Sequence, residues 1–395
     1  MKRLIVVAVV CLCVFAADVA ATTYYVNPGG SNANTGLTPG SALKTITYAL
    51  ATATTGDTVR VAAGTYDHAA GESFPLAMKS GVALVSESGA EQTTITALSA
   101  PTQSRVILAS STAAGTSITG FTITGGRHSG ADGGGGVAVL NGTLLLQKNI
   151  IHSNNAAGLA GAGGSGLGGG VYAVSAALTL VNNVIHSNLA QGGQGFAGAM
   201  NPVTMIPMPG GPGGAAQGGG VYVAGPTGGS ISNNTVYGNT AYGGPGGVGT
   251  PMGMAGPATG GGLYIAGEDI QNNIIAANTA MSIGGIASSG GLALASGSAT
   301  HNLFFSNFPD HGTVGTSPVV DQDPRFVGEP DFDIAPNSPA RAAGTSSGAP
   351  ATDFDGFARP TPPSIGAFES TFVADFNADG KADIVLRNYS TGQNA

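Results

Sequence analysis

Short apolar runs recur along the chain, each opening on glycines and closing on an asparagine. The recurring unit occupies residues 134–154, 168–188, 218–239, 260–278 and 289–307, and the spacers between copies differ in length. The runs are short and rich in β-branched residues, which favours strands over helices. A repeated unit with spacers of variable length is typical of a solenoid. The pattern therefore predicts stacked rungs of strands, with the spacers as loops on one side.

Asparagines occupy two fixed positions in every copy of the unit. They form two columns: Asn149, Asn183, Asn234, Asn273 and Asn302 in the first, and Asn154, Asn188, Asn239, Asn278 and Asn307 in the second. In a coil of parallel strands each turn lies about 4.8 Å from the next, so like residues stack on like. Stacked asparagines can hydrogen-bond along the column, and glycines adopt the backbone angles of a sharp bend. We therefore predict an all-β coil whose corners are formed by the glycine triplets and the asparagines.

The N-terminal region carries a different pattern. Leu43, Ile46 and Leu50 recur at helical spacing and predict an amphipathic helix at residues 42–53, after a strand at 24–26. Such a helix can cover the open end of the coil, whose unpaired edge would otherwise pair with other chains. Further strand-like runs predict additional rungs at residues 58–66, 82–86, 106–110 and 117–126.

The N-terminus has the organisation of a secretory signal peptide, which we place at residues 1–21. Lys2 and Arg3 precede an apolar run over residues 4–17, and small residues follow it. The apolar run is too short to span a bilayer, and both cysteines of the chain lie inside it. We therefore predict a secreted or bacterial cell-surface protein whose mature chain has neither a transmembrane segment nor a disulfide.

Charged residues are scarce throughout the chain. They make up 9% of the residues, the net charge is −8, and no basic cluster occurs. This composition argues against nucleic acid and anionic membranes as partners. The spacers at 189–217 and 240–259 are rich in Gly, Ala, Pro and Met. They are interpreted either as an adaptable contact surface or as disordered low-complexity insertions.

Several segments resemble known families. TYYVNPGGSNANTG and the following ALKTITYALATATTGDTVRVAAGTY resemble the opening of exported right-handed parallel β-helix proteins of the pectate-lyase-like superfold. The GG-[VL] and [IVF]-x-x-N signals resemble the repeats of polymorphic outer-membrane proteins, and residues 321–369 resemble the terminal region of choice-of-anchor Q surface proteins. The resemblance implies a right-handed parallel β-helix with a short N-terminal cap helix. It divides the mature chain into a cap with the first rungs (22–125), the repeat region with glycine-rich loops (126–310) and a folded-over tail (311–370).

The last segment, 371–395, is similar to one FG-GAP or VCBS repeat of integrin-like β-propellers. The resemblance implies a weak Ca²⁺ site formed by Asp375, Asn377, Asp379, Lys381 through its carbonyl, and Asp383. Oxygen ligands at alternating positions suit this hard cation, and Leu386 in place of a bidentate Glu excludes an EF-hand. One repeat cannot close a propeller, so we expect the chain to be a truncated protein or a fragment.

Residues that could support acid–base catalysis are few in the repeat region. Between 126 and 310 the carboxylates are Asp132, Glu268, Asp269 and Asp310. Glu268 and Asp269 are adjacent in a predicted strand, so their side chains should point to opposite faces. We therefore assign no catalytic residue.

Two local clusters remain as candidate ligand sites. Arg127, His128 and Asp132 lie in one glycine-rich segment, which forms either a grip for a sugar acid or carboxylate, or a solvated turn. His152 and His186 share a column in successive rungs, which forms either a metal site or an exposed aromatic ladder.

The acidic residues of the terminal region are interpreted as structural. Those between 321 and 355 are expected to cap backbone amides in turns, and Asp355, Arg359 and Glu369 to form a structural salt bridge. The expected function is therefore a non-enzymatic exported protein that binds polysaccharide or another cell-surface macromolecule. The alternatives are a polysaccharide lyase or glycoside hydrolase acting on an acidic polysaccharide, and a purely structural spacer.

Overall fold

The chain winds into a right-handed parallel β-helix. A computed structural model describes residues 20–225, 228–328 and 332–370, and in these residues the turns run through five sheets, which we call A to E. A complete turn passes from sheet A to B, D, E and C. Sheet A stacks the strands Thr23–Val26, Thr58–Val61, Ala83–Ser86, Ser117–Thr119, Thr143–Gln147, Ala177–Val181, Ser230–Ser232, Asp269–Gln271 and Ala299–Thr300. Sheet B stacks Gly64–Tyr66, Thr93–Thr96, Thr122–Thr124, Ile150–His152, Val184–His186, Thr235–Tyr237, Ile274–Ala276, Leu303–Phe305 and Val319–Val320.

The remaining sheets close each turn. Sheet C stacks Leu76–Ala77, Ile107–Ser110, Val137–Leu140, Val171–Val174, Val221–Ala224, Leu263–Ala266 and Leu292–Ser296. Sheet D stacks Arg127–Ser129, Asn155–Ala157, Leu189–Gln191, Thr240–Tyr242 and Thr279–Met281. Sheet E stacks Gly166–Leu167, Ala216–Gln217, Ala258–Thr259 and Ala287–Ser288. Sheets D and E are short because they belong to the spacers, which widen the middle turns.

The N-terminal cap is a short 3₁₀ turn, Pro39–Ser41, followed by the α-helix Ile46–Thr52. The helix is shorter than predicted because Thr45 caps its N-terminus, accepting the N–H of Tyr48, and Ala53 is already extended. The buried Glu72 also binds this end of the helix, accepting the N–H of Ile46 at 2.7 Å. Burial raises the pKa of Glu72, although its hydrogen bonds to the helix oppose that effect. The helix buries its apolar face on the first strands, so the expected cap is confirmed.

Columns of identical or similar apolar residues fill the coil. One column in sheet A contains Ile118, Leu146, Leu180, Ile231 and Ile270, all fully buried. The strands alternate inward apolar and outward polar side chains, as the pleat requires. Because each turn repeats the same inward positions, the core is continuous from the cap to the last rungs.

The two asparagine columns form hydrogen-bonded ladders, and their predicted stacking is confirmed. Asn183 Nδ2 donates to Asn234 Oδ1 at 3.0 Å, and Asn188 Nδ2 to Asn239 Oδ1 at 3.0 Å. The third glycine of each triplet makes room for this ladder, since a Cβ on Gly170 would lie 2.9 Å from Asn188 Nδ2. Gly and Asn therefore recur together because the asparagine side chain occupies the space beside the glycine.

The glycine-rich spacers pack against one another instead of projecting as disordered insertions. We call residues 158–164, 192–198, 208–214 and 243–256 the glycine lattice. Its extended segments are joined by backbone bonds such as Gly193 N–H to the Gly164 carbonyl (2.7 Å) and Gly214 N–H to the Gly193 carbonyl (2.8 Å). A Cβ on Gly214 would collide with the Gly164 carbonyl, so only glycine permits this spacing. The disordered alternative is therefore wrong.

The tail folds back along the corner between sheets A and B. It is held by a third column of buried asparagines, the first residues of the Asn-Asn pairs, which adopt the left-handed conformation. Asn182 Nδ2 donates to the Thr352 carbonyl at 2.7 Å, and Asn272 Nδ2 to the Thr345 carbonyl at 2.8 Å. Each pair therefore directs one asparagine into the ladder and the other onto the tail.

A buried ion pair joins two parts of the tail to each other. Arg359 and Glu369 are joined at 2.6 Å, with side chains only 2% and 9% exposed, so this part of the predicted salt bridge is confirmed. Asp355 is exposed, and the neighbouring Asp353 takes the buried position. Asp353 accepts the N–H groups of Phe357 (2.8 Å) and Glu369 (2.9 Å), which is the backbone-capping role expected of these aspartates.

Candidate functional site

A polar cleft of about 360 Å³ lies where the chain passes from sheet B to sheet D. Its walls are Gln103, Arg127, His128, Ser153, Asn154, Asn155, Ala157, Ser187 and Leu189. Most of these residues carry hydrogen-bonding side chains, and Arg127 adds a positive charge. We call this cavity the polar cleft; it contains two of the three residues that the sequence nominated as a ligand site.

The strand Arg127–Ser129 determines which way those residues face. Arg127 pairs with Asn155 and His128 with Ala156 in the next strand of sheet D. Arg127 is exposed and His128 is half-buried, and both line the polar cleft. The three residues therefore do not share one loop, because Arg127–Ser129 is a strand. Arg127 and His128 meet at the cleft and His128 contacts Asp132, whereas Arg127 forms no ion pair among the described residues.

Asp132 binds an arginine from outside the segment that the sequence nominated. Its carboxylate contacts Arg105 Nη2 at 2.8 Å and His128 Nε2 at 3.0 Å. Burial would raise the pKa of Asp132, but the hydrogen bonds from Arg105 and His128 outweigh it and hold the pKa below its usual value. Asp132 is therefore an ionised group that positions His128 beside the cleft.

Sequence reasoning missed Arg105 because it belongs to the preceding turn. It lies just before the strand Ile107–Ser110 and is almost fully buried. The sequence does contain one indication of its role, a lone arginine directly before an apolar strand. An arginine that is buried at such a position requires a charged or polar partner. The partner itself is identified only when the turns are stacked.

A stack of tyrosines continues from this cluster along the outer side of sheet C. The rings of Tyr172 and Tyr222 are 5.5 Å apart, and those of Tyr222 and Tyr264 are 5.0 Å apart. Burial raises the pKa of Tyr172, and the nearby Asp132 raises it further. Because the rings face one another, their edges and hydroxyl groups are what the stack offers to a ligand.

A second cavity, which we call the tail groove, separates sheet B from the folded-back tail. It has a volume of about 520 Å³ and is lined by Glu91, Thr122, Ile150, His152, Val184, His186, Phe332, Asp333, Phe354, Asp355 and Phe368. The groove combines an aromatic floor with carboxylates at its edge.

The histidine column lies inside this groove. The rings of His152 and His186 stack at 4.9 Å, and Phe332 of the tail packs on His186 at 5.3 Å. Burial, and the neighbouring His152, lower the pKa of His186 to about 4. The column stacks as expected, but it is covered by the tail and was wrongly expected to be exposed. Within the described residues, no group of three or more His, Cys, Asp or Glu side chains is arranged to hold a metal ion.

The other predicted groups are separate from both cavities or cannot be placed. Glu268 is buried and Asp269 exposed, so the expected divergence of these neighbours is confirmed. The calcium loop at Asp375, Asn377, Asp379, Lys381 and Asp383, and most of the signal peptide, lie outside the described residues. None of the helices in the described part of the chain has the length and apolar character to cross a membrane.

Comparison with known proteins gives a family and a fold. Residues 28–311 match the family described as "Protein of unknown function (DUF1565)". No curated protein matches the chain. Among solved structures, the chain is similar to the pectate lyase Pel9A, with 14% sequence identity, 89% of this chain and 96% of that chain covered, and a TM-score of 0.35.

Proposed function

The chain belongs to the DUF1565 family, and we propose that it is an exported, non-enzymatic β-helix protein that binds an acidic polysaccharide in the polar cleft. The proposal includes secretion through the signal peptide at 1–21 and weak Ca²⁺ binding by the 371–395 segment. It also includes the outer-membrane-protein-like character of the repeats and the choice-of-anchor Q character of residues 321–369. The argument for the ligand rests on the cleft.

The observation that carries the proposal is the exposed guanidinium of Arg127 among uncharged hydrogen-bonding groups. A guanidinium binds a carboxylate through two parallel hydrogen bonds. Ser153 and Ser187 offer hydroxyl groups in the same cavity. Asn155 lines the same cavity, and its Oδ1 atom is an acceptor without a hydrogen-bond partner among the described residues. A sugar acid supplies the matching carboxylate and hydroxyl groups.

The lowered pKa of Asp132 argues against a role as general acid. A general acid needs a pKa near the working pH, whereas hydrogen bonds from Arg105 and His128 keep the pKa of Asp132 low. Its role is to hold His128 at the cleft wall. The tyrosine stack, which begins near Asp132, adds a row of ring edges along sheet C, and such an extended row suits a polymer better than a single sugar.

One observation supports the alternative of a lyase or hydrolase. The tail groove brings the carboxylates of Glu91, Asp333 and Asp355 to the same cavity as two histidines. Glycoside hydrolysis requires a pair of carboxyl groups across the scissile bond. If the protein is an enzyme, the tail groove is therefore the place to look for its activity.

Binding is tested with the mature protein and oligomers of uronic acids, with a neutral glucan as the reference ligand. Arg127→Gln should weaken binding of the acidic oligomer at least about tenfold, which corresponds to ~1.4 kcal/mol. Arg60→Gln removes the same charge from an exposed arginine of sheet A and should leave binding unchanged. Equal affinity of the wild type and Arg127→Gln for the acidic oligomer contradicts the proposal.

Turnover is tested separately by measuring the release of unsaturated or reducing ends from pectin and alginate, with and without calcium. We expect none. Release that is abolished by Glu91→Gln or Asp355→Asn would establish the alternative in the tail groove. Release abolished by Arg127→Ala or Asp132→Ala would instead place catalysis at the polar cleft.

A further inference from the structure

The glycine lattice carries an exposed apolar hairpin, which we define as residues 199–208. Its strands meet in an antiparallel bridge between Met200 and Pro207. At its end Val203 is 88% exposed, and Met205 and Ile206 are also exposed. The neighbouring loop at 248–254 adds further exposed side chains, those of Val248, Met252 and Met254. We call the hairpin and this loop the lobe; together they carry eight of the 19 exposed large apolar side chains in the described residues, the densest concentration of them along the chain.

The lobe is free of charge over an unusual length of sequence. Residues 189–267 contain no Asp, Glu, Lys, Arg or His. A soluble surface normally alternates apolar patches with charged side chains, and a continuous exposed apolar patch marks an interaction site. The surface therefore suits a partner that is itself apolar and uncharged.

Five of the eight backbone N–H groups of the hairpin are paired within it. Asn201 Oδ1 accepts the N–H groups of Val203 (2.9 Å) and Thr204 (3.0 Å), and the Asn201 carbonyl accepts the N–H of Met205 (2.8 Å). Asn201 and Met208 donate to carbonyls of the hairpin's own residues. Residues 202, 207 and 209 are prolines, which have no N–H to satisfy. The hairpin can therefore leave water with few unpaired backbone donors.

The lattice also holds the hairpin rigidly in its exposed position. Gly198 donates to the Val248 carbonyl at 2.7 Å, and Gly210 donates to the Pro251 carbonyl at 3.0 Å. Thr250 donates to the Met208 carbonyl at 3.2 Å, which joins the neighbouring loop to the hairpin. Because the apolar side chains are presented by a hydrogen-bonded frame, little conformational entropy is lost when they are buried.

We propose that the apolar hairpin and its neighbouring loop insert into the surface of a lipid bilayer with uncharged, zwitterionic headgroups. Hydrocarbon supplies no hydrogen-bond partners, so only a backbone that pairs internally can enter it. A protein interface of useful size usually carries about one hydrogen bond per 100–200 Å² and is enriched in Tyr, Trp and Arg, which this surface lacks. The net charge of −8 and the absence of basic residues in the lobe give anionic lipids no advantage. The proposal is independent of the polar cleft.

The test is sedimentation of the mature protein with phosphatidylcholine vesicles. The wild type should bind, and binding should persist at high salt because it is not electrostatic. Val203→Asp and Ile206→Asp should each weaken binding at least about tenfold, or ~1.4 kcal/mol. Leu98→Asp changes a side chain that is equally apolar and 67% exposed but lies outside the lobe, and it should bind as the wild type does.

A labelled variant shows which part of the protein enters the bilayer. The chain beyond residue 13 contains no cysteine, so Val203→Cys can carry a single environment-sensitive fluorophore. Its emission should shift to the blue when vesicles are added, whereas the same label at Leu98→Cys should not shift. Failure of the wild type to bind vesicles overturns the proposal. A concentration-dependent dimer that Val203→Asp abolishes, without vesicle binding, would assign the surface to a second copy of the chain.

Discussion

Replacing Asn183 by leucine tests the asparagine ladder most directly. Asn183 lies in the middle of its column and is fully buried. Its Oδ1 atom accepts the backbone N–H of Asn149 at 3.0 Å, and its Nδ2 atom donates to the Leu146 carbonyl at 2.8 Å and to Asn234 Oδ1 at 3.0 Å. Leucine keeps the branched shape of the side chain but removes all of these bonds.

The expected cost follows from the groups left behind. The buried N–H of Asn149 loses its acceptor, which costs ~1–3 kcal/mol. The lost bond to the Leu146 carbonyl adds about 1 kcal/mol. We therefore expect Asn183→Leu to lower the free energy of unfolding by about 2–4 kcal/mol. Denaturant unfolding followed by circular dichroism measures this, with hydrogen exchange to show whether the rungs around Asn183 open separately.

The matched control is Asn337→Leu, the same substitution at an exposed asparagine of the tail. It should change the free energy of unfolding by less than about 0.5 kcal/mol. A second comparison uses the double variant with Asn234→Leu, which should cost less than the sum of the two single variants because they share a hydrogen bond. If Asn183→Leu is no more destabilising than Asn337→Leu, the ladder does not stabilise the coil as argued.

Three further predictions concern the tail, the histidine column and the glycine lattice. Glu369→Gln leaves Arg359 buried without its counter-ion, so it should destabilise by about 3–5 kcal/mol and expose the tail to limited proteolysis. His186 has a pKa of about 4 when folded and its usual 6.5 when unfolded, so the unfolded chain takes up the proton first as the pH falls. Stability should therefore decline between pH 6.5 and 4, and His186→Phe should remove that part of the slope in denaturant titrations. Gly214→Ala should cost ~1–3 kcal/mol because its Cβ meets a backbone carbonyl, whereas Gly40→Ala, with open space around it, should be neutral in thermal unfolding.

The partners of the residues around the polar cleft could not be predicted from the sequence of the segment that contains them. Arg127 and His128 were identified because they are rare charged residues in a glycine-rich segment. Whether that segment is a loop or a strand could not be predicted from its residues, because the strand forms by pairing with Asn155 and Ala156 of the next turn. Arg105 could not be paired with Asp132 from the sequence because the two belong to different turns.

The β-helix could be predicted from the sequence, because the contacts between turns of a solenoid recur with the same period as the repeated residues. Aligned copies of the unit were sufficient to identify both asparagine columns, and the helical spacing of Leu43, Ile46 and Leu50 was sufficient to identify the cap helix. Other contacts do not recur from turn to turn, and they became visible only in the folded structure. These are the packing of spacers of unequal length into the glycine lattice and the packing of the tail on His186. Those contacts join residues that are distant in the chain and differ in every turn. They depend on the shape that the completed coil presents. They leave the histidine column half-buried and determine which apolar side chains remain exposed.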